Sequence, residues 1–303
     1  MKLPPARTEN FANLVAPGLR KVWFDVFKKA QNERDVLFNV INSDRQYEET
    51  AKVGELPSAV EKPEGTAISY VHASISALKR ITQVPYGLGF RITREMYDFD
   101  LYGPMKKMSK QLAESARDRM EIVSMSILNN AFSTSYGGFV STESLCSTTH
   151  ALLAGGTASN RPATDVDFSL SALQAACDAM SGNLNEVSMP RPINPRLLVG
   201  DYRYRWAFVE QLESEYKPYT ANNEINSIRD QDLKYFLSHR FTDTDQWFLM
   251  GPKEDLGLWV IISKAPTFES GDDFDTGDAK FKTYFRIAAG YDEWRGVYGS
   301  SGG

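Results

Sequence analysis

The chain has 303 residues, 42% of them hydrophobic, 12% aromatic and 24% charged, which is the balance of an ordered globular protein and not of a disordered or collagen-like one. A formal charge of -5 argues against a protein whose main task is gripping nucleic acid, because such surfaces concentrate Lys and Arg to displace phosphate counterions. Two cysteines, Cys146 and Cys177, cannot build a disulfide framework and are expected as free thiols, while the N-terminus lacks the apolar run of a signal peptide and the most apolar stretch, 258–262, is too short to cross a bilayer.

Pro4-Pro5 and Pro17-Gly18 punctuate the first forty residues, and a short amphipathic stretch over 19–30, rich in aromatics and lysines, reads as an arm that docks on another surface. From 44 to 83 the sequence turns acidic and breaker-rich, with Gly54, Pro57, Pro63 and Gly65 between two extended segments; the second, 66–76, has no strong apolar face. A hairpin without a core of its own is marginal in water, so it must lie on something. It is either an assembly device resting on a neighbouring subunit or an ordinary surface loop of its own domain.

Pro104 opens the strongest helix, expected over 104–132, in which Met105, Met108, Leu112, Ala116, Met120, Val123, Ile127 and Ala131 recur at spacings of three and four and write one core-facing stripe. A Gly, Ser and Thr-rich connection over 133–164 follows. A second helix is expected over 169–180 with Leu170, Leu173, Cys177 and Met180 inward, and a third over 201–214 after the apolar run Leu197-Leu198-Val199. Strand-like runs then occupy 235–241, 247–250, 258–263 and 281–289. Helices and strands mix without regular alternation, which predicts an α+β fold.

The candidates for chemistry fail one by one. Asp275-Thr276-Gly277 spells an aspartic-protease tripeptide, but it stands in an acidic stretch with a single copy, where a solvated hairpin turn is the plainer reading. The same stretch fails as a calcium loop, since Asp273 in first place puts Asp278 where Gly is needed and Tyr284 where Glu is needed. Cys146 and His150 stand close enough to share a metal, yet only His72, His239 and Cys177 remain as distant further ligands. Gly87-Leu88-Gly89 and Gly155-Gly156-Thr157 lack the residues of nucleotide loops and are expected to be turns. No catalytic, cofactor-binding or metal-binding residue is assigned.

Several segments are more telling together. They are Tyr86-Gly87-Leu88-Gly89-Phe90-Arg91-Ile92-Thr93-Arg94-Glu95-Met96 with Asp98-Phe99-Asp100-Leu101-Tyr102-Gly103; Leu145-Cys146-Ser147-Thr148-Thr149-His150 with Gly155-Gly156-Thr157-Ala158-Ser159-Asn160; Asn194-Pro195-Arg196-Leu197-Leu198-Val199; and Arg295-Gly296-Val297-Tyr298-Gly299-Ser300. In this order they resemble the HK97-type shell fold of tailed-bacteriophage major capsid proteins, over nearly the whole chain.

The resemblance implies an N-terminal arm (1–42), an extended loop (43–90), a peripheral domain (91–164 and 252–285) with a spine helix over 104–132, and an axial domain (165–251 and 286–303). It implies a non-enzymatic chain without cofactor that self-associates into hexamers and pentamers, closing an icosahedral shell around double-stranded DNA contacted non-specifically. Its expected partners are a separate scaffolding protein, a portal and a decoration or cement protein, in a virion assembled in the host cytoplasm. On the hairpin, Lys52, Glu55, Glu61, Lys62, Lys79 and Arg80 are the candidate inter-subunit contacts.

Some members of that family join Lys to Asn covalently; Lys52, Lys62 and Lys79 are available here, but 272–303 contains no Asn, so a non-covalent shell is expected. Two alternatives stay open: an encapsulin-like cellular compartment of the same fold and, more distantly, an aspartic-protease-like enzyme using Asp275.

Overall fold

The computed structural model describes residues 11–29, 32–50, 54–68, 70, 78–99, 102–136, 139–152, 155–218, 224–273 and 275–303. The chain opens with helix α1 (Phe11–Lys29), a single turn α2 (Arg34–Leu37) and strand β1 (Asn39–Asn42). Pro17 lies inside α1 and does not end it, although a proline removes a backbone donor at a cost of about 3 kcal/mol in a helix interior. Packing outweighs that cost. Leu19 and Trp23 are fully buried, and the Trp23 ring stacks on Phe27 at 5.0 Å.

Strands β2 (Tyr47–Thr50) and β3 (Lys79–Thr82) form the antiparallel root of the expected hairpin, with Tyr47 opposite Thr82 and Thr50 opposite Lys79. After β4 (Val84–Ile92) and a short α3 (Arg94–Asp98) comes α4 (Tyr102–Asn129), the expected long helix, about 40 Å from end to end. Its buried face is broader than one stripe, because Ala113, Met125 and Leu128 join Met105, Leu112, Ala116, Met120, Val123 and Ile127. Met108 is only half-buried, and the neighbouring Ser109 takes the inward position, its hydroxyl donating to the Leu19 carbonyl at 2.8 Å. The arm-like helix therefore docks on this chain's own long helix.

Two short hairpins follow, β5 (Ser135–Tyr136) with β6 (Phe139–Val140) and β7 (His150–Ala151) with β8 (Thr157–Ala158), before α5 (Leu170–Ser181). Ser169 caps α5, its hydroxyl accepting from the Ala172 N–H at 3.2 Å. Next come β9 (Leu197–Asp201), a 3-10 turn (Tyr202–Tyr204), α6 (Arg205–Glu213), β10 (Lys234–Ser238) and β11 (Trp247–Met250). The chain finishes with β12 (Leu258–Asp272), β13 (Ala279–Tyr291) and β14 (Val297–Ser300).

β12 and β13 run well beyond the expected 258–263 and 281–289. Pro266 hid the continuation of β12, and the structure accommodates it within the second of two register shifts, between Lys264 and Thr267. Three four-stranded sheets result, ordered β1-β12-β13-β4, β10-β9-β11-β14 and β2-β3-β6-β5. Residues 279–287 of β13 alternate buried and less buried, with Phe281, Phe285 and Ile287 inward, while 287–291 are buried throughout. The largest core joins Met120 and Ile127 of α4 to Val260 and Ile287 of one sheet and Val199 and Phe248 of another. A second core lies between α5, α6 and the β9–β11 sheet, and a third between α1, α4 and the distal part of β12 and β13.

Candidate assembly surface

The candidate contacts of the hairpin separate into root and tip. At the root, the Arg80 guanidinium donates from Nε to Glu49 Oε1 at 2.8 Å and covers the Tyr47 ring at 4.3 Å, so it is engaged across its own hairpin. The hydrogen bond to Glu49 is the main reason the guanidinium is held above its ordinary pKa. Lys79 Nζ lies 4.6 Å from the Tyr291 ring centroid and 3.4 Å from the Asp292 carbonyl. Glu55 pairs with Arg191 at 3.3 Å. Glu61 and Lys62 are exposed at the tip, and Lys52 lies outside the described residues, as does most of the extended segment 66–76.

The tip carries apolar side chains that the chain itself does not cover: Val60 is 79% exposed and Tyr70 86%, with Leu56 and Ile68 also exposed. Large apolar groups gathered on one exposed element mark a surface made for another molecule. Large apolar side chains stand exposed elsewhere too, among them Phe99, Trp206 on α6 and Ile225. Trp206 was legible in part: Phe208 and Leu212, four apart, define the buried side of α6, and Trp206 falls off that side.

The groups weighed for chemistry are structural. Asp275 is exposed in the turn joining β12 to β13, its N–H donating to Asp273 Oδ1 at 3.2 Å, and Gly277 supplies the turn's positive φ of 69°. His150 lies flat on the Trp294 ring at 4.0 Å, with Nδ1 3.0 Å from Glu143 Oε2 and Nε2 2.9 Å from Asn160 Oδ1. The Asn160 amide donates to the carbonyls of Leu145 and Val297, both at 2.8 Å, so this cluster ties the 145–160 connection to the chain end. Burial pushes the Cys177 thiol up to about 11 and Cys146 higher still, which disfavours the thiolate at both. Among the described residues, no group of His, Cys, Asp and Glu could hold a metal ion, and no helix is long and apolar enough to cross a membrane.

A long helix thus lies across a sheet, with an apolar loop exposed at one side. The model of a family described as phage capsid protein matches residues 78–300. This chain belongs to the phage capsid protein family. No curated protein matches it.

Among solved structures, the capsid of an empty GTA particle is similar at TM-score 0.60 and 9% identity, covering 89% of each chain. That of Mycobacterium phage Bobi is similar at TM-score 0.57 and 11% identity, covering 89% of this chain and 90% of that one. A virus-like particle from Pyrococcus furiosus is similar at TM-score 0.51 and 11% identity, over 94% and 98%. At such identities the likeness is one of fold, and the fold is the α+β, HK97-like one. The capsid protein is a structural, non-enzymatic shell subunit of a bacteriophage: a major capsid protein, which assembles as oligomers into an icosahedral capsid and is part of the virion.

Proposed function

We propose that this capsid protein self-associates into hexamers and pentamers, and that residues 43–90 form the extended loop, whose tip around residues 56–70 reaches over an adjacent copy. The observation that carries the reading is the loop tip, where Leu56, Val60, Ile68 and Tyr70 stand exposed on a segment with no core. Within this reading 1–42 is the arm, 91–164 and 252–285 the peripheral domain with its spine helix, and 165–251 and 286–303 the axial domain. Lys52, Glu55, Glu61, Lys62, Lys79 and Arg80 are the proposed charged contacts; those with partners in their own chain, such as Arg80, would exchange or extend them on assembly. Residues 272–303 contain no Asn, so no Lys–Asn link forms through this stretch.

Assembly in the host cytoplasm uses a separate scaffolding protein and a portal, with a decoration or cement protein added outside. Packaged double-stranded DNA is contacted non-specifically, consistent with the net charge of -5. The test is light scattering with electron microscopy of the same fraction. Free rings of five and six are expected from the chain alone and closed megadalton shells once the scaffolding protein is added; a monomer that forms neither at high concentration overturns the proposal, and closed shells of uniform size from the chain alone overturn the need for a scaffold.

The second reading, a cellular compartment shell, is favoured by the likeness to the virus-like particle from Pyrococcus furiosus. The phage capsid family match weighs against it. DNA inside particles isolated from their natural source supports the phage shell, and an enclosed protein cargo supports the compartment.

A further inference from the structure

The root of the loop lies on a platform of its own chain. The turn following α5 is shaped by Asn185, whose Oδ1 accepts from the N–H groups of Val187 at 3.0 Å and Met189 at 2.8 Å, and Ser188 takes the left-handed φ of 61°. Arg295 fastens this turn from beneath. Its buried guanidinium donates from Nε to the Leu184 carbonyl at 2.6 Å and pairs with Glu186 at 3.0 Å and Glu293 at 2.9 Å. Met189 and Arg191 are thereby presented to the loop: Ser58 Oγ lies 2.8 Å from Met189 Sδ, and Glu55 lies 3.3 Å from the Arg191 guanidinium.

Arg191 has three acidic partners around one guanidinium, since Glu293 stands at 3.6 Å and Asp255 at 3.8 Å in addition to Glu55. Removing a carboxylate from a half-buried cation is usually costly because the cation is left unpaired. Here it is not left so. If Glu55 departs, two carboxylates remain, and Glu55 itself moves towards solvent. The same contact is therefore specific enough to position the loop and cheap enough to give up, which is the requirement for a two-state element with a small gap.

We propose that Glu55 and Arg191, with Ser58 on Met189, form a latch that holds the loop against its own chain and opens when a neighbouring copy takes the loop tip. This rests on the reading of the loop as an assembly element, and adds how its engagement is regulated. Beyond Ser58 the tip has an apolar surface free to be captured, so the neighbour supplies the free energy that opens the latch.

The test has two arms on the full chain, with unassembled protein as starting material. First, Glu55→Gln and Arg191→Gln each speed cleavage after Glu64 by a glutamyl endopeptidase, roughly two- to five-fold, the range expected for losing one half-exposed ion pair. Second, Ser58→Cys with Met189→Cys is joined by a reducible bis-thiol linker, which spares the buried Cys146 and Cys177. Linked protein is expected to stop short of closed shells and to close them on reduction, as the unlinked double variant does throughout.

Closed shells from linked protein in native yield, or native cleavage rates in both single variants, overturn the latch. Val60→Ser separates the two levels. If it lowers shell yield while the linker has no effect, the latch is wrong and the loop reading stands; if neither has an effect, both fall.

Discussion

Two antiparallel excursions of this chain share a topology and differ in fate. The β12–β13 hairpin turns at 273–278 and lays Phe281, Phe285 and Ile287 on its inner side, where α4 and α1 cover them. The β2–β3 hairpin is paired over only four residues on each strand, and the 54–70 segment beyond it turns Leu56, Val60, Ile68 and Tyr70 outward. One excursion is stabilised by its own chain; the other carries apolar surface that its own chain leaves exposed. The comparison teaches that strand pairing does not decide whether a hairpin belongs to a fold, because the decisive quantity is the apolar area its neighbours remove from water.

The sharpest way to break this contrast is to truncate each side in turn. Phe281, buried and stacked against Phe90 at 5.2 Å and Phe268 at 5.7 Å, anchors the first hairpin. Phe281→Ala is expected to cost about 3–5 kcal/mol, read as a loss of unfolding midpoint in urea before any assembly is tested. A cost below about 1 kcal/mol would mean that the core does not hold the hairpin in place.

An intermediate effect is expected where the chain holds itself by charge. Arg161 grips Asp165 with Nε to Oδ1 at 2.9 Å and a second bond from Nη2 to Oδ2, chiefly lowering the Asp165 pKa below its ordinary 3.8. A carboxyl with a depressed folded pKa contributes stability that is fully present above the unfolded value and is lost as pH falls through 3.8 towards the folded value. Asp165→Asn should therefore cost about 1 kcal/mol at neutral pH, and the difference from the native chain should shrink as pH falls below 3.8. A gap that stays constant over this acid range would assign the effect to packing.

Loop variants should leave the unassembled protein nearly untouched. Val60→Ser and Ile68→Ser are expected to shift unfolding by no more than about 0.5 kcal/mol, while lowering the yield of closed shells several-fold. Equal effects on unfolding and on assembly would erase the distinction between the two hairpins.

How much of this was written in the chain follows from the range of each interaction. The 104–132 periodicity gave the long helix nearly to its ends, and Trp247 to Met250 gave β11. These signals are local, since a helix or strand face shows itself within a dozen residues. Other features were not legible. Pro17 and Pro266 spoke against elements that tertiary packing sustains, and a distant strand's register cannot be read from its own residues. Of the candidate contacts, sequence placed Glu55 on an exposed hairpin, but Arg191, which holds it, is 136 residues away.

The sequence by itself determined the fold class, the long helix, the coreless hairpin and, through the order of its segments, the resemblance to shell proteins that the family match upheld. Tertiary structure alone decided that α1 docks on α4 of the same chain, that β1 runs parallel to β12 and β9 to β10, and that the loop root is seated on Arg191. The physical reason is common to all three: each joins residues far apart in sequence, and its free energy comes from mutual burial or pairing that neither partner's neighbourhood encodes.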